Sequence, residues 1–134
     1  MNWLKRNIKK VFYLEAFINL VSIFGIFLSP ESYLRGMGIS EPTPLLTAAF
    51  LHFGMLLLVM TYILARVLLS GNDRALRIVL EGHLIGDFVY LYVVVMLVNA
   101  VGGVWTMTTI IGVALTIMFI LVRGFYLLSH REIA

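Results

Sequence analysis

Residues 45–69 read LLTAAFLHFGMLLLVMTYILARVLL, and this stretch decides the fold class of the chain. Arg66 is its only charged residue. A helix that crosses the hydrocarbon core of a bilayer needs about 20 predominantly apolar residues. The stretch exceeds that length, so the sequence predicts a transmembrane helix here.

Three further apolar runs have the same character, at about 11–28, 75–98 and 104–128. Of the 134 residues, 61% are hydrophobic and 13% are charged, whereas a soluble domain carries about 25% charged residues. A water-soluble fold of this size leaves too much surface exposed to hide so many apolar side chains. The composition therefore predicts an all-α membrane four-helix bundle that forms a single transmembrane domain over residues 1–134.

The segment after the first span, residues 29–44, contains all three prolines of the chain. Ser29-Pro30-Glu31 combines a hydroxyl cap, a proline at the first helical position and an acid near the positive end of the helix dipole. We therefore predict a short interfacial helix after the first span, ended by Gly36 or Gly38.

The boundaries of the later spans are marked by turn residues. Thr43-Pro44 repeats the helix-start signal before the second span. The sequence Ser-Gly-Asn-Asp at 70–73 combines a glycine that ends one helix with a cap for the next. A second turn is predicted at 99–103, between the third and fourth spans.

Basic residues are distributed unevenly between the two ends of the predicted bundle. Only Arg35 lies on the side opposite the termini. The side with both termini carries nine: Lys5, Arg6, Lys9, Lys10, Arg66, Arg74, Arg77, Arg123 and Arg131. Cytoplasmic loops are enriched in Lys and Arg, so we expect an integral membrane protein with cytoplasmic N- and C-termini. The net charge of +3 then reflects topology, and no nucleic-acid partner is expected.

Each span also contains polar residues at helical spacing, and such residues usually face the interior of a membrane bundle. In the first three spans these are Glu15, Asn19 and Ser22; His52, Tyr62 and Arg66; and His83, Asp87 and Tyr90. In the fourth span they are Trp105, Thr109, Gly112, Thr116, Arg123 and Tyr126. The spacing predicts one inward polar face per span.

Six ionisable side chains are expected to converge inside the bundle. Five lie in the half nearest the termini, namely Glu15, Arg66, Glu81, His83 and Arg123, and Asp87 lies closer to the midplane. Because an acid one turn from a histidine can orient the imidazole, the candidate catalytic residues are His83, Asp87 and Glu81. The candidate ligand-binding residues are Glu15, Asn19, His52, Tyr62, Arg66, Tyr90, Thr116 and Arg123.

Structural interpretations of the same residues stand beside the functional ones. Arg66 and Arg123 can extend toward the membrane interface, and Glu15 and Glu81 can pair with them as packing contacts. His52 fits an interhelical hydrogen bond, and Gly82-x-x-x-Gly86 is a motif for close helix contact. With no cysteine and no compact ligand motif, no metal site is predicted, and no particular cofactor is indicated.

Two resemblances follow from these residues. The carboxylate at Glu15, early in the first of four spans, resembles that of the small multidrug resistance transporters, but the charged third span departs from that family. The chain as a whole resembles small four-helix membrane proteins of the DoxX-like type. That resemblance rests on the basic N-terminus, the loop motif Ser-Pro-Glu-x-Tyr-Leu at 29–34 and the polar third span at 81–90. It implies a fold and carries over no catalytic residue.

Four functions remain open at this point. The first is binding of a small hydrophobic ligand in a polar pocket in the cytoplasmic half of the bundle. The second is an intramembrane enzyme that performs carboxylate and histidine proton-transfer chemistry on a lipid-like substrate. The third and fourth are a small proton-coupled transporter and a membrane assembly factor. The expected partners are the lipid bilayer, a small hydrophobic molecule and a second copy of the chain.

Overall fold

The computed structural model describes residues 2–100 and 104–129, with side chains from residue 7 onward. In chain order the helices are α1 (Asn2–Leu28), α2 (Pro30–Gly36), α3 (Pro44–Ser70), α4 (Asp73–Ala100) and α5 (Met107–Ser129). All but α2 are long and apolar enough to cross a membrane. The predicted all-α membrane bundle with a short helix after the first span is confirmed. The chain is a small integral membrane protein.

Helix boundaries differ from the predictions mainly at α1 and α5. The first helix begins at Asn2, before the predicted start at 11, because its basic N-terminal turns continue the same helix. The last helix begins at Met107, where Thr106 caps it by accepting from the Thr109 amide at 3.3 Å. The predicted turn at 99–103 falls partly on residues 101–103, which lie outside the described residues.

The cap of α2 also differs from the prediction. The Ser29 side chain makes no capping hydrogen bond. Its backbone serves both helices instead: the Ser29 amide donates to the Gly25 carbonyl, and its own carbonyl accepts from the Tyr33 amide, each at 3.1 Å. Pro30 lacks an N–H, so the helix start has one fewer donor to satisfy.

The caps around α3 and α4 follow the sequence prediction. Thr43 Oγ1 accepts from the Leu46 amide at 3.2 Å at the start of α3. Gly71 ends α3 with a left-handed backbone (φ 68°), which glycine adopts without steric cost. Asn72 Oδ1 then accepts from the Ala75 amide at 3.0 Å and caps α4.

The long helices pack mainly in two pairs. α1 packs most extensively on α3, and α4 on α5. A closely packed apolar cluster lies at the end of the bundle that carries the termini; we call it the terminal core, and it consists of Ile8, Phe12, Leu64, Leu68, Leu76, Leu80 and Tyr126. Only 17–22% of the residues in the apolar windows of the long helices are buried. Apolar side chains therefore cover the outside of the bundle, as lipid contact requires.

Candidate functional site

Four ionisable side chains from three helices meet inside the bundle, and we call them the charged cluster: Glu15 of α1, His83 and Asp87 of α4, and Arg123 of α5. The spacing of His83 and Asp87 places both on one face of α4, one turn apart. Glu15 and Arg123 are each 1% exposed, and His83 is 7% exposed. Asp87 is the most accessible member, with 18% of its side chain exposed.

Arg123 is the centre of the charged cluster. Its Nη2 donates a hydrogen bond to Glu15 Oε1, and its Nη1 forms an ion pair with Asp87 Oδ2. The guanidinium carbon also lies 5.7 Å from the centroid of the Phe119 ring, a cation–π distance. One cation therefore ties α1, α4 and α5 together.

His83 has a choice of two partners for the same ring nitrogen. Its Nδ1 lies 3.4 Å from Arg123 Nη2, a donor, and 3.5 Å from Glu15 Oε1, an acceptor. An unprotonated Nδ1 can only accept, and a protonated Nδ1 can only donate. The protonation state of this nitrogen therefore selects whether His83 bonds to Arg123 or to Glu15.

With both carboxyl groups ionised and the imidazole neutral, the charges of the cluster do not balance. Two carboxylates then face one guanidinium, so one negative charge is in excess. Five buried polar atoms of the cluster have no hydrogen-bond partner among the described residues, namely Glu15 Oε2, His83 Nε2, Asp87 Oδ2, and Nε and Nη1 of Arg123. Two of these, Asp87 Oδ2 and Arg123 Nη1, form the ion pair with each other. Net charge in a low-dielectric interior is costly, and one added proton would make the set neutral.

The terminal core separates the charged cluster from the end of the bundle that carries the termini. Phe12 lies one turn before Glu15, and Leu80 lies one turn before His83. Beyond this layer, Lys9 Nζ pairs with Asp73 Oδ1 at 2.5 Å. The predicted opening of the polar site toward this end is thus not present in the described part of the chain.

Two of the six ionisable residues that were expected to converge lie elsewhere. Glu81 is about half exposed and pairs with Arg77 on its own helix at 3.1 Å. Arg66 is exposed near the end of α3. The prediction of a six-residue convergence is therefore wrong for these two, because an intrahelical partner or a position near the interface removes the need for burial.

The predicted inward face of α3 is also wrong. His52 and Tyr62 are both exposed, and His52 Nδ1 donates to the carbonyl of Ala48 on its own helix at 2.8 Å. The buried face instead contains Gly54 and Thr61. Small residues are enriched where membrane helices contact each other, and positions seven residues apart share one helix face. This signal in the sequence could have identified the correct face.

The remaining candidate ligand-binding residues are Asn19, Tyr90 and Thr116. All three are half-buried, and none belongs to the charged cluster. Asn19 is half-buried on α1. The Thr116 hydroxyl donates to the carbonyl of Gly112 one turn earlier at 2.8 Å. The ring of Tyr90 stacks on Phe53 at a centroid distance of 6.3 Å. These contacts position helices, and their role in ligand binding stays a prediction.

Gly82 and Gly86 make no close helix contact in the described structure. Both are exposed, and a Cβ built on either would meet no atom within 4 Å. The prediction of a close contact at this motif within the chain is therefore wrong. A helix contact of that kind occurs at Gly54, where an added Cβ would lie 2.7 Å from Ile26 Cγ2.

An apolar groove of about 310 Å³ runs between α1 and α3 on the outside of the bundle. It is lined by Ala16, Phe17, Leu20, Leu58, Thr61, Tyr62 and Ala65. Tyr62 is the one candidate ligand-binding residue in its wall. His83 and Asp87 are not among its lining residues, so the groove and the charged cluster are separate features.

No group of three or more His, Cys, Asp or Glu side chains suited to a metal ion is found within residues 2–100 and 104–129. No family model, curated protein or solved structure matches this chain. The fold and the site together define a four-helix membrane protein with a buried cluster of ionisable side chains.

Proposed function

We propose that this protein is proton-coupled, and that the charged cluster takes up and releases one proton inside the membrane. The observation that carries this proposal is the position of His83 Nδ1 between the Arg123 donor and the Glu15 acceptor. A proton on Nδ1 removes the bond from Arg123 and creates one to Glu15. When Nε2 keeps its own proton, the proton added to Nδ1 makes the imidazole cationic and cancels the excess negative charge of the cluster.

Asp87 is the entry point for the proton in this proposal. It is the only member of the charged cluster with appreciable exposure, and the terminal core blocks the route from the end with the termini. A proton that arrives at the Asp87 carboxylate lies one helical turn from His83. Intramembrane carboxylates and histidines of this kind form the proton relays of pumps and transporters.

The test is a pH titration followed at two groups. Nitrogen NMR of labelled histidine in detergent micelles reports His83, which His83→Asn identifies, and infrared difference spectroscopy reports buried carboxyl groups. We expect a cluster signal that titrates and that Asp87→Asn removes, because the remaining set is neutral without a proton. Glu81→Gln is the matched control on the same helix, and we expect it to leave the signal unchanged.

The result against the proposal would be a His83 signal and a carboxyl band that both stay constant over the range in which the bundle remains folded. A titration that Glu81→Gln abolishes as fully as Asp87→Asn would also count against it. The geometry favours proton binding over chemistry on a bound substrate, because the groove between α1 and α3 does not include His83 or Asp87.

A second candidate function is binding of a small hydrophobic molecule from the bilayer, now in the groove between α1 and α3. The groove volume and its almost wholly apolar wall suit a hydrocarbon chain. Ligand sites are commonly apolar with a few polar groups that determine orientation. Two of the lining residues, Thr61 and Tyr62, carry hydroxyl groups.

The termini are placed on the cytoplasmic side in this proposal. The support is the count of basic residues, nine on the side of the termini against Arg35 on the other. The chain has no cysteine, so single labels can be introduced cleanly. We expect Ser40→Cys to react from outside the cell and Ser129→Cys only from inside; labelling of both from one side would overturn the topology.

A further inference from the structure

The end of the groove nearest the chain termini is basic and aromatic. Because α1 and α3 run antiparallel, the turn of α3 after Tyr62 lies level with the turns of α1 before Ala16. These turns carry Arg66 on α3, and Lys10 and Tyr13 on α1. All three side chains are exposed. An apolar groove therefore leads to a pair of cations at the level where the helices leave the membrane.

Neither cation has a carboxylate partner in the described structure. Helix α3 contains no acidic residue, and Glu15, the only acid of α1, faces the interior. The neighbouring Lys9 differs, since it pairs with Asp73. Lys10 and Arg66 thus offer uncompensated positive charge to whatever lies at the end of the groove.

Thr61 lies in the wall of the groove, and its hydroxyl is buried beneath that wall. The residue is 5% exposed and lines the groove, and its hydroxyl has no hydrogen-bond partner among the described residues. A buried hydroxyl without a partner is costly. Thr61 lies five residues before Arg66, or about 7.5 Å deeper along the helix axis.

We infer that the groove binds an anionic phospholipid. One acyl chain lies between α1 and α3, an ester oxygen accepts a hydrogen bond from Thr61, and the phosphate lies against Lys10 and Arg66. Two cations without a nearby acid favour a head group of net negative charge over a zwitterionic one, whose own cation they would repel. This inference rests on ligand binding in the groove, the second candidate function above.

The test is native mass spectrometry of the delipidated protein in detergent, titrated with phosphatidylglycerol or with phosphatidylcholine of the same acyl chains. Each basic residue near an anionic surface raises the binding affinity about 5-fold. We therefore expect a preference for phosphatidylglycerol of about 25-fold from two cations. Lys10→Gln combined with Arg66→Gln should remove this preference. Arg74→Gln, an exposed basic residue at the same end but on α4, should leave it unchanged.

Groove-filling variants separate the two levels of the proposal. Ala65→Phe should abolish binding of both lipids, and Leu58→Trp repeats the test on a more exposed wall. If the wild type binds neither lipid, or both variants bind as the wild type does, the groove function and this inference fall together. The variants can block binding while the wild type does not prefer phosphatidylglycerol, or Arg74→Gln can remove that preference as fully as the double variant does. Either result would overturn only the selection of an anionic head group.

Discussion

The half of the bundle that carries the termini and the half that carries α2 are held together by different interactions. Near the termini, one guanidinium joins α1, α4 and α5 through ion pairs. Near α2, described contacts are apolar and aromatic: Tyr33, Phe50, Phe53 and Tyr90 form a chain of rings with successive centroid distances of 5.5, 6.0 and 6.3 Å. The ion pair described there, between Glu31 and Arg35, is exposed.

The difference teaches which interactions can specify helix arrangement in lipid. Apolar contact between helices gains little there, because lipid tails are as apolar as leucine. Close shape fit and polar contacts therefore have to select the neighbours of each helix. The α2 half uses shape, as at Gly54 against Ile26, and the terminal half combines the packing of the terminal core with charge.

Replacing Arg123 with methionine tests the charged half of the bundle, and we expect it to have the largest effect on stability. It leaves Glu15 and Asp87 buried without a cation, and removing one partner of a buried pair costs about 3–5 kcal/mol. We expect that loss in the free energy of unfolding, measured in detergent. The triple variant with Glu15→Gln, Asp87→Asn and Arg123→Met should recover most of it, because no charge remains buried. A single variant as stable as the wild type would contradict the structural part of the account.

Gly54→Ala tests the shape-based half. The added Cβ would lie 2.7 Å from Ile26, which is 1% exposed and has no room to move. Overpacking of this kind costs about 1–3 kcal/mol. Gly82→Ala is the matched control, because its Cβ would meet nothing within 4 Å, and we expect it to leave the stability unchanged or to raise it by up to about 1 kcal/mol, since alanine favours a helix over glycine. Equal effects of the two substitutions would refute close packing at Gly54.

The ion pair between Lys9 and Asp73 should show the smallest effect. It links α1 to the start of α4, and the two side chains are 44% and 42% exposed. Exposed pairs contribute about 0.2–1 kcal/mol and are screened by salt. A double-mutant cycle with Lys9→Met and Asp73→Asn should give a coupling in that range that falls as salt is added. A larger coupling that does not depend on salt would mean that the pair between Lys9 and Asp73 is shielded from water as fully as the charged cluster.

The sequence predicted the inward faces of the first, third and fourth spans better than that of the second span, α3. Glu15, His83 and Arg123 are buried as their spacing indicated. Glu15 and His83 lie well inside their helices, and Arg123, six residues before the end of α5, is held inside by its ion pairs with Glu15 and Asp87. The polar residues of α3 misled the assignment, since His52 bonds to its own backbone and Arg66 lies near the helix end. A span that is apolar all round shows no clear preference for one face. The DoxX-like resemblance stays a prediction.

The sequence alone determined the class of the protein and the course of the chain: long apolar runs require lipid, and the turn residues at Thr43 and Gly71 mark where α3 begins and ends. Those properties are local, so composition and spacing suffice to read them. Only the tertiary structure decided that Arg123 meets both carboxylates and that Arg66 lies outside with the groove. Rotation of one helix against another depends on the shapes and partners of side chains distant in sequence, and no local pattern contains that information.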